Sequence, residues 1–100
     1  MHHFRGSVSE RLQALGSLVD MPAVEILPLL RRAVADPTAA VRLRVAELAF
    51  ALAQAGESAA LEVLRGLLGD SDSVVSARAA SQLALLLRTA PATGRREPGP

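Results

Sequence analysis

The sequence predicts an all-α fold made of stacked antiparallel helical hairpins, about five helices in all. Three observations predict it. Half of the 100 residues are apolar, yet only Phe4 and Phe50 are aromatic, so any core must be Leu, Val and Ala. Ala and Leu favour helices, whereas strands would draw on more Tyr, Phe, Ile and Thr. The stretch "DPTAAVRLRVAELAFALAQAG", Asp36 to Gly56, is echoed thirty-four residues on by "DSDSVVSARAASQLALLLR", Asp70 to Arg88. Within both stretches the apolar residues recur at helical spacing.

The echo holds across two helices and the turn between them. A shift of thirty-four places Leu27 on Leu61, Leu30 on Leu64, Arg31 on Arg65 and Asp36 on Asp70. Further along it places Val41 on Val75, Arg44 on Arg78 and Leu52 on Leu86. The same shift backwards sets Leu15 under Ala49 and Leu18 under Leu52, so "SERLQALGSLVD" reads as a second helix that lacks its first. The order is therefore one second helix, then two complete hairpins. A fixed period of this size marks an array in which each unit stacks on its neighbours.

Each element can be justified in turn. The first helix of the first hairpin offers Val24, Leu27, Leu30 and Val34 as a core stripe. Pro28 lies inside it, removing one backbone hydrogen bond and bending a helix that runs on through it. Pro37 cannot continue that helix, and Thr38 suits the N-cap of the next. Val41, Val45, Leu48 and Leu52 then form one narrow stripe at about 100° per residue. Gly56 ends the unit. Leu61, Leu64 and Leu68 repeat the first stripe, and Gly69 ends that helix. Asp72 suits the last N-cap, and Val75, Ala79, Leu83 and Leu86 repeat the second stripe, with Gln82 where Leu48 was. Residues 90–100, "APATGRREPGP", form a Pro-, Gly- and Arg-rich tail that cannot build a core element and is expected to be disordered. The repeat domain is thus assigned to residues 1–89.

Several function classes lose support. Without cysteine there are no disulfides or thiolate metal sites. All eleven basic residues are Arg, but the net charge is only +1, which gives no long-range pull toward nucleic acid or anionic lipid. No uncharged apolar run nears the ~20 residues that cross a bilayer, and no signal-peptide core is present, so a cytoplasmic location is expected. His2 and His3 sit on an end expected to fray, and Asp70 and Asp72 are explained by turn and cap roles. Neither a phosphate loop nor metal-ligand spacing occurs. No catalytic residue, metal or cofactor is expected.

The residues that remain resemble a known family. "ILPLLRRAVADPTAAVRLRVAELAFAL" is similar to a HEAT repeat, and "ALEVLRGLLGDSDSVVSARAASQLALLL" to a second, more degenerate one. The features are an apolar first helix containing Pro28, an Asp in the turn (Asp36, Asp70) and a Val–Arg step five residues on. Val41–Arg42 supplies that step, while Val75–Ser76 keeps only the Val, and Glu62 replaces the proline. The resemblance, over residues 7–88, implies an α-solenoid of two and a half units serving as a non-catalytic scaffold. It also implies a ladder in which Arg42 pairs with a turn carboxylate of Asp36 or Asp70.

In such a stack the second helices line the concave side. The side opposite each core stripe carries Leu43, Glu47, Phe50 and Gln54 in the first full unit. In the second it carries Ala77, Ser81, Ala84 and Arg88, and in the half unit Ser9, Gln13, Gly16 and Asp20. Leu43, Glu47, Phe50, Gln54, Ser81 and Arg88 are thereby candidate contacts for a protein partner, with Phe50 either an anchor or covered by the tail. Arg31 with Arg65, and Arg44 with Arg78, stand in rows at matched positions and are candidates for binding an anion. Nucleic acid is the lesser expectation, because acidic residues are nearly as numerous and no aromatic is placed for base stacking. Neither end shows a polar outer face: Leu12, Leu15 and Leu18 lie at one, Leu85, Leu86 and Leu87 at the other. Either the chain is a piece of a longer array, or a second copy or another protein is expected to cover them.

Overall fold

The computed structural model describes residues 6–89. The expectations for His2 and His3 and for the tail fall outside these residues. The described chain is all-α: α1 Val8–Gly16, a 3-10 turn Ser17–Asp20, α2 Ala23–Ala33, α3 Ala39–Gln54, α4 Ala59–Leu67 and α5 Ser73–Thr89. Helices α2 and α3 make one hairpin and α4 and α5 the next, with α1 as the unpaired second helix at the front. The central helix α3 packs on α1, α2, α4 and α5. Helices α3 and α5 pack on each other more extensively than α2 does on α4. The longer second helices thus share more of the interface between the two hairpins than the first helices do.

Local signals set the helix ends. Ser7 caps α1 by accepting from the Glu10 N–H at 3.1 Å, and the Glu10 carboxylate accepts from the Ser7 N–H at 2.9 Å. This reciprocal box is written in the sequence as Ser–x–x–Glu. Asp72 caps α5, accepting from the N–H groups of Val74 and Val75 at 2.9 and 3.2 Å. After α3, Gly56 adopts φ +102°. Its N–H reaches the Ala53 carbonyl, and the Glu57 N–H reaches that of Leu52. That left-handed stop satisfies carbonyls the helix leaves open, at a conformation a side chain would resist. Helix α2 runs on through Pro28, with Pro22 as its N-cap. Pro28 leaves the Val24 carbonyl without its helical donor, and both residues are exposed, so water can serve that oxygen.

The core departs from the expected stripes in four places. In α3 the buried residues are Val41, Val45, Ala46 and Ala49, while Leu48 and Leu52 are half-buried. A helix with neighbours on several sides buries a broad arc, and alanines on that arc let the flanking helices approach closely. In α2, Val24 is 75% exposed and Ile26 is buried. The buried arc is centred on Ile26, Leu30 and Ala33, and Val24 lies about 150° away at ~100° per residue. In α4, Leu68 is 45% exposed and Val63 and Leu67 are buried in its place, because Leu68 already belongs to the helix cap. At the N-terminal end, Leu15 and Leu18 are fully buried. Of the three leucines expected at an open front edge, Leu15 and Leu18 face inward instead, while Leu12 is half-buried. At the other end Leu85 and Leu87 are exposed and Leu86 is half-buried.

Candidate functional site

Two sets of charged residues separate cleanly by geometry. The first joins the units. Arg42 donates from Nε to Asp70 Oδ1 at 2.7 Å and from Nη2 to Asp70 Oδ2 at 3.1 Å. Its Nη1 donates to the Asp36 carbonyl at 2.8 Å. Arg11 repeats the arrangement one unit earlier: Nε and Nη2 fork onto Asp36 at 2.8 and 3.1 Å, and Nη1 reaches the Gly6 carbonyl at 2.6 Å. Each aspartate also accepts from the N–H two residues on, of Thr38 or Asp72, both at 2.9 Å. Thr38 stands at the N-cap of α3 but does not cap it; its hydroxyl accepts from Arg11 Nη2 at 2.8 Å.

These side chains are nearly dry, 12% and 4% exposed in the Arg11–Asp36 pair and 12% and 6% in the Arg42–Asp70 pair. The hydrogen bond from Arg42 holds the Asp70 carboxyl below the usual carboxylate range, assisted by the Asp72 N–H and opposed by burial. The same bond raises the Arg42 guanidinium further above its already high value. A forked charge-assisted pair fixes direction as well as distance, so two such rungs set the angle between units.

Sequence reasoning found the Arg42 rung and missed Arg11. The missed signal is the Arg–Leu step: Arg11–Leu12 matches Arg42–Leu43 at an offset of thirty-one, three short of the main period. The half unit is therefore set three residues out of the expected register. A third rung would need an Arg at position 76, where the chain has Ser76.

The second set lies on the outward face of the second helices. Arg44 Nη1 donates to Glu47 Oε1 at 3.1 Å, and Arg78 Nη1 donates to Glu47 Oε2 at 3.0 Å. The two arginines proposed as an anion row thus share one carboxylate. Their side chains are 43% and 42% exposed and that of Glu47 37%. Leu43 and Phe50 are half-buried and pack against the core, whereas Gln54, Ser81 and Arg88 are exposed. Phe50 is thus partly covered by its own helices. Arg31 and Arg65 are exposed on α2 and α4, away from this face, and no salt bridge involves either among the described residues. Beside Arg31 lies a small cavity of about 130 Å³ bounded by Val34, Glu62, Val63 and Gly66. Between α1 and α3 runs an open groove of about 750 Å³, lined by Val8, Ser9, Leu12, Gln13, Gly16 and Arg44.

Among the described residues no group of three His, Cys, Asp or Glu is placed to hold a metal ion. No helix among them is long and apolar enough to cross a membrane. No curated protein and no solved structure matches the chain significantly. A family model for HEAT repeats matches residues 6–85. Repeats of this family generally serve as protein-interaction scaffolds and are generally not catalytic. With paired helices in register, turn aspartates bridged to the preceding unit and a family match over four-fifths of its length, the chain belongs to the HEAT-repeat family.

Proposed function

We propose that this chain is a non-catalytic scaffold that binds another protein on the face formed by α1, α3 and α5. The observation that carries the reading is the division of labour among the charges. Arg11, Arg42, Asp36 and Asp70 are spent inside, holding the units at fixed angles. The outward face of the second helices keeps partly exposed Leu43 and Phe50 at its centre, flanked by small or polar Ser9, Gln13, Ala77, Ser81 and Ala84. A half-buried apolar centre with a polar rim, on a surface made rigid from behind, suits protein recognition. Nucleic-acid binding along Arg44 and Arg78 is the weaker reading, because two arginines that share Glu47 make too short a row to follow a phosphate backbone.

Paired charge reversals test it. One variant carries Glu47→Arg with Arg88→Glu on the second-helix face, the other Arg31→Glu with Arg65→Glu on the first helices. Proteins that co-purify with the native chain should be lost from the first variant and retained by the second. Loss from the second alone would place binding on the opposite face and end the reading.

A further inference from the structure

Four arginines of the second helices, Arg11, Arg42, Arg44 and Arg78, hydrogen-bond through their guanidinium groups, and they do so in two different ways. Arg11 and Arg42 each donate from Nε, Nη1 and Nη2, so their forks are filled by the fold. Arg44 and Arg78 each donate from Nη1 alone, both to Glu47, among the described residues. Each guanidinium has five N–H groups in a rigid fork. Two forks sharing one carboxylate, at about two-fifths exposure, retain unused donors and a net positive charge.

The charge continues along the face. Outside the ladder, α3 and α5 carry Arg44, Arg78 and Arg88 against Glu47 alone. Arg44 is also the one charged residue among those lining the groove between α1 and α3. The rest of that lining is apolar or neutral, and Val8 is 39% exposed there. Gly16 lies beside Arg44 in this lining: a methyl group in its place would stand at ordinary contact distance, 3.9 Å, from Arg44 Nη2. Apolar walls and an under-used guanidinium therefore meet at one point.

We propose that this groove, with the Arg44–Glu47–Arg78 cluster at its rim, takes a partner segment that presents a carboxylate beside a large apolar side chain. The carboxylate lies across the free sides of Arg44 and Arg78, where a forked bond is available to it. The apolar side chain enters between Val8, Leu12 and Gly16. The proposal rests on the reading of α1, α3 and α5 as the binding face, and it adds the chemistry of the partner.

The probe is a displayed library of random peptides of roughly a dozen residues, about three helical turns. It is selected on the whole chain and in parallel on the Arg44→Gln/Arg78→Gln variant, whose fold is checked by circular dichroism. Enriched peptides should pair Asp or Glu with Leu, Ile, Phe or Met. The best should bind the variant about tenfold more weakly, or ~1.4 kcal/mol. Backbone amide shifts on adding that peptide should map to Ser9, Gln13, Gly16 and the first half of α3. Neutral or basic peptides whose shifts still fall on α1, α3 and α5 would overturn the acidic partner and leave the binding face standing. Acidic peptides that bind native and variant chains equally would overturn it too. So would binding of an oligonucleotide that the same variant abolishes. Shifts confined to α2 and α4, or no enrichment at all, would remove the binding face along with the proposal.

Discussion

Replacing Arg42 with Ala removes the whole second rung at a stroke. Three hydrogen bonds go, at 2.7, 3.1 and 2.8 Å, and Asp70 keeps only the Asp72 N–H at 2.9 Å. The magnitude depends on burial. An exposed pair contributes ~0–1 kcal/mol, whereas removing one partner of a buried pair costs ~3–5 kcal/mol, because the other charge stays desolvated. With the two side chains 12% and 6% exposed, the buried regime applies at its lower end. The expected loss is about 3 kcal/mol. For a domain of this size that corresponds to a fall in Tm of roughly 12–24 °C.

Urea unfolding followed by circular dichroism reads this directly, in a cycle with Asp70→Ala and the double variant. The double variant should lose less than the two single losses added, because it leaves no stranded charge. Arg42→Lys should recover part of the loss, since it keeps the charge but not the fork. Acid supplies an independent check. The folded-state pKa of Asp70 is depressed, so its contribution is full above the unfolded carboxylate value and is lost as pH falls through the folded one. The stability gap between the native chain and Asp70→Ala should therefore narrow as the pH drops below about 4. Single losses under about 1 kcal/mol, or strictly additive ones, would refute the argument that these rungs hold the units together.

Gln82 is buried at 6% exposure, and its Oε1 has no hydrogen-bond partner among the described residues. Gln82→Leu, which installs the residue found at matched position 48, should stabilise the chain by ~1–2 kcal/mol in the same urea assay; a loss would mean that the amide is satisfied in solution. Val41→Asp buries a charge at a position with 0% exposure and should abolish the cooperative transition, while Glu47→Ala should cost under about 1 kcal/mol; similar effects would invalidate the assignment of faces. Leu87 is 68% exposed and Leu85 45%, so replacing both with Gln should reduce self-association in sedimentation across a concentration series without lowering Tm. A native chain that stays monomeric at high concentration would show that this edge does not drive assembly.

The repeat, the helices and their stacking were legible in the sequence because they follow from short-range periodicity. A spacing of three and four between apolar residues makes a helix amphipathic wherever it lies. A recurrence of two such helices leaves stacking as the way to bury both faces. The Arg42 rung was legible in part, since an Arg just after the turn has a carboxylate within reach in either turn. Which turn it chooses is a tertiary matter: it takes the side chain of Asp70 and the backbone of Asp36. Positions at the border of a stripe were not legible. Val24 and Ile26 are equally apolar, and only the angle at which α2 meets its neighbours turns one outward and the other inward. Arg11 escaped notice because the half unit is set three residues out of register, an offset that periodicity averages away and a forked salt bridge reports directly. The pairing of Glu47 with both Arg44 and Arg78 was hidden for a related reason. One partner is a turn away on the same helix, but the other comes from α5, and charges so far apart in sequence meet only because packing of α3 on α5 brings them together.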